Sequence, residues 1–103
     1  MNKFKAALLQ TKVYDEKQKN IEKAIKLIEK VSGEGADIAI LPEMFCCPYN
    51  NAFFKEYGEE EKGMAYKALS ETARNSDIYV VGGSMPELDG DKIYNTSYAF
   101  NRK

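Results

Sequence analysis

The residues of this chain that could do chemistry follow a short apolar run at positions 38–41. Glu43 comes two positions after that run, and Cys46 and Cys47 follow it. A carboxylate can act as a general base, and a thiolate attacks carbonyl carbon atoms well. The sequence contains no histidine, which removes Ser-His and Cys-His catalysis and most zinc sites. Chemistry within these residues therefore depends on Glu43 and the two thiols.

Glu43 could be a general base, because apolar neighbours would disfavour its charged form and make it a better proton acceptor near neutral pH. The alternative is a solvated glutamate in a loop, which is the commoner case for a carboxylate at a strand end. Cys46 and Cys47 have no histidine to activate them, so we favour packing residues over nucleophiles. Adjacent cysteines rarely form a relaxed disulfide. They therefore predict a reducing, cytoplasmic environment.

The connection from residue 42 to about residue 59 has no clean period and is long for a strand-to-helix loop, and such loops are usually functional. It is rich in aromatic side chains, among which Tyr49 is a candidate substrate-binding residue. These side chains could line a small-molecule pocket, and they could equally form satellite core or a subunit interface. The aromatic residues are Phe45, Tyr49, Phe53, Phe54 and Tyr57.

A second candidate site is Gly82-Gly83-Ser84, which follows another apolar run. Backbone N–H groups in a glycine-rich turn can bind an anion. Two glycines after a strand are more often part of a tight turn. We keep anion binding as a weaker alternative.

The elements that must position these residues alternate along the chain. Apolar positions spaced by three, four and seven residues from Ile21 to Val31 predict a helix, with Asp15 as its candidate cap and an end at Gly33. Acidic residues at 59–61 suit the start of a second helix that ends near Asn75. Short apolar runs predict strands at 4–9, 38–41, 78–81 and 93–100.

This order, β-α-β-α-β-β, predicts one α/β domain over residues 1–103, with a mostly parallel sheet and an antiparallel pairing of the last two strands. Sites in such sheets lie beyond the carboxyl ends of the strands. Glu43 and Ser84 are both expected at that edge. The apolar fraction of 44% and the net charge of -1 exclude a disordered chain and argue against nucleic-acid binding. No apolar run reaches membrane-spanning length, and no signal peptide is predicted.

Several segments, in order, resemble those of nitrilase-superfamily carbon–nitrogen hydrolases. The segment 37–45 resembles the strand that carries the family's catalytic glutamate, here Glu43. The segment 48–57 further resembles the ω-amidase branch, which removes ammonia from dicarboxylate monoamides. The other matching positions are 4–10, Asn20, 81–87, which resembles a strand and turn, and 94–97.

The resemblance implies a four-layer αββα sandwich, of which this chain resembles half, and a mechanism that uses a glutamate, a lysine and a cysteine without metal or organic cofactor. The glutamate takes the thiol proton, the thiolate attacks an amide or nitrile carbon, and the lysine helps to hold the oxyanion. Only Glu43 matches this set. The family's lysine and nucleophile come after the fourth strand, so Lys103, Cys46 and Cys47 do not correspond to them.

We therefore expect the amino-terminal part of an amidase or nitrilase acting on small molecules, with the 103 residues inactive alone. We also expect an exposed apolar sheet face, which would favour a homo-oligomer or a complementing carboxy-terminal fragment. The alternative function is a non-catalytic assembly or binding module.

Overall fold

The computed structural model describes residues 3–103 and has the alternating strands and helices of an α/β fold. The expected domain begins at residue 1, so its first two residues lie outside the described part. The elements are β1 (Ala6–Leu8), α1 (Lys17–Gly33), β2 (Ile38–Ile40), α2 (Asn51–Tyr57), α3 (Met64–Asn75), β3 (Tyr79–Val81), β4 (Met85–Asp89), β5 (Lys92–Thr96) and β6 (Ala99–Phe100).

The main sheet is mixed, with strand order β1-β2-β3-β6. β1, β2 and β3 are parallel, and β6 pairs antiparallel with β3. The mostly parallel sheet and the antiparallel last pairing are thus confirmed for these strands. β4 and β5 form a separate antiparallel hairpin with its turn at Gly90.

Two details of the predicted strands are wrong. The expected single strand at 93–100 is two strands, because β5 pairs with β4 whereas β6 pairs with β3. The segment 81–87 resembles a strand followed by a turn, but in the structure a further strand, β4, begins at Met85. Both errors concern the choice of partner strand, which sequence periodicity does not determine.

The helices also differ from the prediction at their ends. α1 begins at Lys17, and Glu16 rather than Asp15 takes the cap position, without a capping bond from its side chain. The long connection after Glu43 contains the short helix α2, which is capped by the Asn50 side chain accepting the Ala52 N–H at 2.9 Å. α3 ends at Asn75 as expected.

The core lies between one face of the main sheet and the two long helices. Ala39 of β2 pairs with Val80 of β3, which pairs with Phe100 of β6, and all three are buried against residues such as Ile28 and Leu69 of the helices. Within residues 3–103, no helix combines the length and the apolar character that crossing a membrane requires.

The opposite face of the main sheet is open and apolar. One row across it consists of Leu8, Ile40, Val81 and Ala99, none of which is buried. Leu8 is 75% exposed and Tyr79, in the neighbouring row, 46%. The expected exposed apolar face is present in this chain.

Candidate functional site

The carboxyl ends of β2 and β3 bring the two predicted site segments together. Ile40 and Val81 are paired in register, so the residues that follow them leave the sheet side by side. The backbone N–H of Met44 donates to Oγ of Ser84 at 3.0 Å. The predicted placement of Glu43 and Ser84 at one edge of the sheet agrees with this geometry.

The turn that carries Glu43 has an unusual backbone. Met44 has φ of 51°, in the left-handed region, where a non-glycine residue costs on the order of 1–3 kcal/mol. The turn places Glu43 on the exposed side, whereas Met44 and Phe45 are buried. The backbone conformation therefore separates the candidate base from the apolar residues that anchor it.

Gly83 allows the two loops to touch. Its φ is 56°, and a Cβ atom there would lie 2.0 Å from the Pro42 carbonyl oxygen and 2.9 Å from that of Leu41. The Gly82 N–H is already bonded to the Tyr98 carbonyl at 2.7 Å. The nearby carbonyl oxygens would repel an anion, and an N–H that already donates to a carbonyl cannot bind one. This segment is therefore a tight turn packed against the Glu43 loop. The anion-binding alternative is not supported.

Asn20 connects α1 to the same turn. Its side chain is buried, and Nδ2 donates to the carbonyl oxygens of Cys46 at 2.9 Å and Tyr14 at 2.7 Å. Oδ1 accepts the Tyr14 N–H at 2.7 Å. Sequence reasoning placed Asn20 only by resemblance. A polar residue within the apolar stripe of α1, next to Ile21, was the signal for a structural hydrogen-bond role.

Cys46 and Cys47 are free thiols with only 1% of each residue exposed. Burial, with the neighbouring Cys47 adding to it, raises the pKa of Cys46 to about 12. Burial also raises the pKa of Cys47 above its ordinary value. A buried thiol that resists ionisation is a poor nucleophile. The geometry supports packing residues at both positions.

An ion pair with little solvent exposure lies near these thiols. Lys17 of α1 is paired with Glu59, and the side chains are only 15% and 10% exposed. Both carboxylate oxygens of Glu59 accept the N–H of Ala65, at 2.8 and 3.0 Å, at the start of α3. The predicted helix start at residues 59–61 is wrong, because α3 begins at Met64 and its first turn contains no acidic residue. Glu59 reaches the helix end by its side chain, and its partner Lys17 was not foreseen because it lies in another helix.

The aromatic loop divides between core and surface. Phe45 is in the core, whereas Tyr49 is 72% exposed and meets Phe54 edge to face at 5.4 Å between ring centroids. These two rings line an open groove of about 340 Å³ together with Met44, Lys55, Ile93, Tyr94 and Asn95. The core use is thus confirmed for Phe45, whereas small-molecule binding in the groove stays a prediction. The role of Tyr49 in substrate binding stays a prediction.

Glu43 itself is exposed among the residues that the structure describes. The apolar surroundings considered for a general base are therefore not supplied by residues 3–103. What the chain does supply is a carboxylate on a firmly held turn, next in sequence to a residue that lines the aromatic groove. Such an arrangement can accept a proton from a group brought to it.

Comparison with known proteins identifies the family to which this chain belongs. The carbon-nitrogen hydrolase family model matches residues 5–103. The chain is 46% identical over 100 residues to the omega-amidase NIT2 of Danio rerio, which covers 97% of this chain and 36% of that protein. It is 44% identical over 102 residues to nitrilase homolog 2 of Dictyostelium discoideum, covering 97% of this chain and 31% of the relative.

A solved structure agrees with these relatives. Nit3 of Saccharomyces cerevisiae, described as a member of branch 10 of the nitrilase superfamily, has a TM-score of 0.84 and 35% identity, covering 96% of this chain and 40% of that one. The chain thus spans about a third of the length of the curated relatives that it matches. Since the family model extends over nearly all of the sequence, the chain belongs to the carbon–nitrogen hydrolase family.

Proposed function

We propose that this chain carries Glu43 as the general base of a hydrolase that cleaves the carbon–nitrogen bond of small amides, with dicarboxylate monoamides as the preferred class. The observation that carries the proposal is the exposed Glu43 on a turn fixed at the carboxyl edge of β2 and β3. The similarity to proteins named omega-amidase, at 40–46% identity, supports the substrate class.

The proposed chemistry needs partners that these residues do not provide. Glu43 takes the proton of a thiol, and the thiolate attacks the amide carbon. A lysine stabilises the oxyanion, ammonia leaves, and water then hydrolyses the thioester. In this proposal residues 1–103 are the amino-terminal part of one incomplete, cytoplasmic domain, and the lysine and cysteine come from the part that matches the rest of the relatives. We expect the 103-residue chain alone to hydrolyse no amide.

The open apolar sheet face supports the same proposal, because an exposed apolar patch of this kind favours association. We propose that a complementing carboxy-terminal segment covers it. The face includes Leu8, Ile40 and Tyr79.

A chimera tests the proposed base. Residues 1–103 would replace the matching segment of the Danio rerio relative, and ammonia release from a dicarboxylate monoamide would be measured. We expect turnover, and we expect Glu43→Gln to lower kcat by about a hundredfold or more, because a proton acceptor is lost. Glu29→Gln, at an exposed position of α1, is the matched control. A folded chimera in which Glu43→Gln keeps full turnover would refute the proposal.

The second candidate function is a non-catalytic assembly module. The open face is the observation that favours it, since Leu8 is 75% exposed. This function predicts a chimera that folds and associates but releases no ammonia even with Glu43 intact. Circular dichroism and gel filtration would establish folding before that result is interpreted.

A further inference from the structure

We infer that Ser84 is a positioning residue for Glu43, acting through the strained turn that joins them. This inference rests on the proposed function of Glu43. Ser84 is inferred to hold the backbone of Met44 in the conformation that the structure shows, in which the Glu43 carboxylate is exposed at the sheet edge.

Ser84 satisfies two consecutive backbone donors of the turn. Its Oγ accepts the N–H of Met44 at 3.0 Å, and its carbonyl oxygen accepts the N–H of Phe45 at 3.3 Å. Met44, Phe45 and Ser84 are all buried. An unpaired backbone N–H in such a place is strongly unfavourable, because water cannot replace the lost acceptor.

The backbone of Met44 indicates why this bond is needed. A methionine with φ of 51° is strained, and such conformations persist only where the surroundings over-determine them. Here the constraint comes from both sides of the turn. Ser84 holds Met44 and Phe45, while the buried amide of Asn20 holds the Cys46 carbonyl at 2.9 Å. Met44 directly follows the candidate base. Backbone strain held in place at this position indicates that the location of the Glu43 carboxylate matters for function.

Gly83 and Ser84 act together. Only a residue without a Cβ atom can bring this loop against the Pro42 carbonyl, where a Cβ would lie 2.0 Å from the oxygen. That close approach is what places the Ser84 hydroxyl within reach of the Met44 N–H. The glycine provides the contact and the serine provides the hydrogen bond.

Hydrogen exchange on the dilute 103-residue chain tests the structural half of the inference. We expect Ser84→Ala to speed exchange at the Met44 and Phe45 amides by about tenfold or more beyond any change at core amides such as that of Leu69. Ser84→Thr keeps the hydroxyl and should restore protection. Ser97→Ala, at an exposed position, is the matched control. If Ser84→Ala leaves the exchange rate of the Met44 amide unchanged, the inference is wrong, whatever catalytic activity the variant shows in the chimera. If Ser84→Ala does not fold, Ser84→Cys gives the same comparison at nearly the original volume.

Kinetics in the chimera test the catalytic half. We expect Ser84→Ala to lower kcat by about ten- to a hundredfold with little change in KM, as misplacement of a catalytic group does. Ser84→Thr should recover most of this loss. In a Glu43→Gln background, Ser84→Ala should have almost no further effect, because the group that it positions is already gone.

The outcomes separate the two proposals. An equal loss from Ser84→Ala with and without the Glu43 carboxylate would show a merely structural residue and overturn the positioning role. Full turnover by Glu43→Gln, with exchange at Met44 still accelerated by Ser84→Ala, would refute the proposed base and the positioning role but leave the hydrogen bond between Ser84 and the turn established.

Discussion

Lys17, at the first turn of α1, and Glu59, before the start of α3, form an ion pair whose side chains are only 15% and 10% exposed. The same carboxylate accepts the N–H of Ala65. One side chain therefore joins two helices that are far apart in sequence. The pair also lies near enough to Cys46 to act on its ionisation electrostatically.

Removing one partner of this pair should destabilise the chain. Glu59→Gln leaves the Lys17 ammonium buried without a counter-charge, and we expect a loss of about 3 kcal/mol in the free energy of unfolding. Urea denaturation at neutral pH would measure it. The double variant Lys17→Met, Glu59→Gln should recover part of the loss. If Glu59→Gln lowers the free energy of unfolding no more than the exposed variant Glu29→Gln does, the prediction is wrong.

Two glycines with positive φ offer a matched comparison. Gly83→Ala brings a Cβ to 2.0 Å from the Pro42 oxygen, whereas Gly90→Ala meets no atom within 4 Å. Both substitutions carry left-handed strain of about 1 kcal/mol. We expect Gly90→Ala to cost little more than that, and Gly83→Ala to cost at least about 3 kcal/mol or to prevent folding, because backbone must move. Equal midpoints in chemical denaturation would argue against the close contact of the two loops.

The buried thiols predict a dependence of stability on alkaline pH. Burial raises the pKa of Cys46 from 9.0 to about 12 and also raises that of Cys47. Above pH 9 the unfolded chain therefore loses thiol protons that the folded chain keeps, so the free energy of unfolding should fall as pH rises toward 12.

Denaturation midpoints at pH 8, 9 and 10 would measure this fall. Tyr98 adds to the fall as pH approaches 10, because its pKa is raised from 10.0 to about 12, chiefly by its hydrogen bond to Glu87. Cys46→Ala should flatten the slope between pH 9 and 10. An unchanged slope in that variant would show that the thiol ionises equally in both states.

Association through the open sheet face is the fourth prediction. Leu8→Lys places a charge at the β1 end of the apolar row and should shift the 103-residue chain toward monomer in light scattering at high concentration. Met64→Lys, at a residue 48% exposed on α3 rather than on the sheet, is the control and should leave association unchanged. A native chain that is already monomeric at the highest concentration would contradict the prediction.

Sequence patterns predicted the part of the fold that depends on local residues. Short apolar runs predicted the parallel strands, and helical periodicity predicted α1 and α3. The parallel order of the strands then placed Glu43 and Ser84 at the same edge of the sheet. α2 was missed because Asn51–Tyr57 is only seven residues long, too short to establish a period. The division of 93–100 into β5 and β6 was missed because it is set by the partner strands.

The contacts that define the site depend on residues far apart in sequence. The bond from Asn20 to Cys46 spans 26 positions, and the bond from Met44 to Ser84 spans 40. No periodicity encodes such pairs. The sequence singles out Asn20 as a polar residue within an apolar stripe and Ser84 as a serine after two glycines. It does not identify the residues with which they form hydrogen bonds.

The groove beside the Glu43 turn is bounded on one side by Tyr49 and α2 and on the other by β5. Neither element belongs to the main sheet. Mutations in these two walls can therefore alter what the groove accepts without disturbing the hydrogen bonds that hold the carboxylate. Ligand preference and the reactive group can thus diverge separately during the evolution of such a chain.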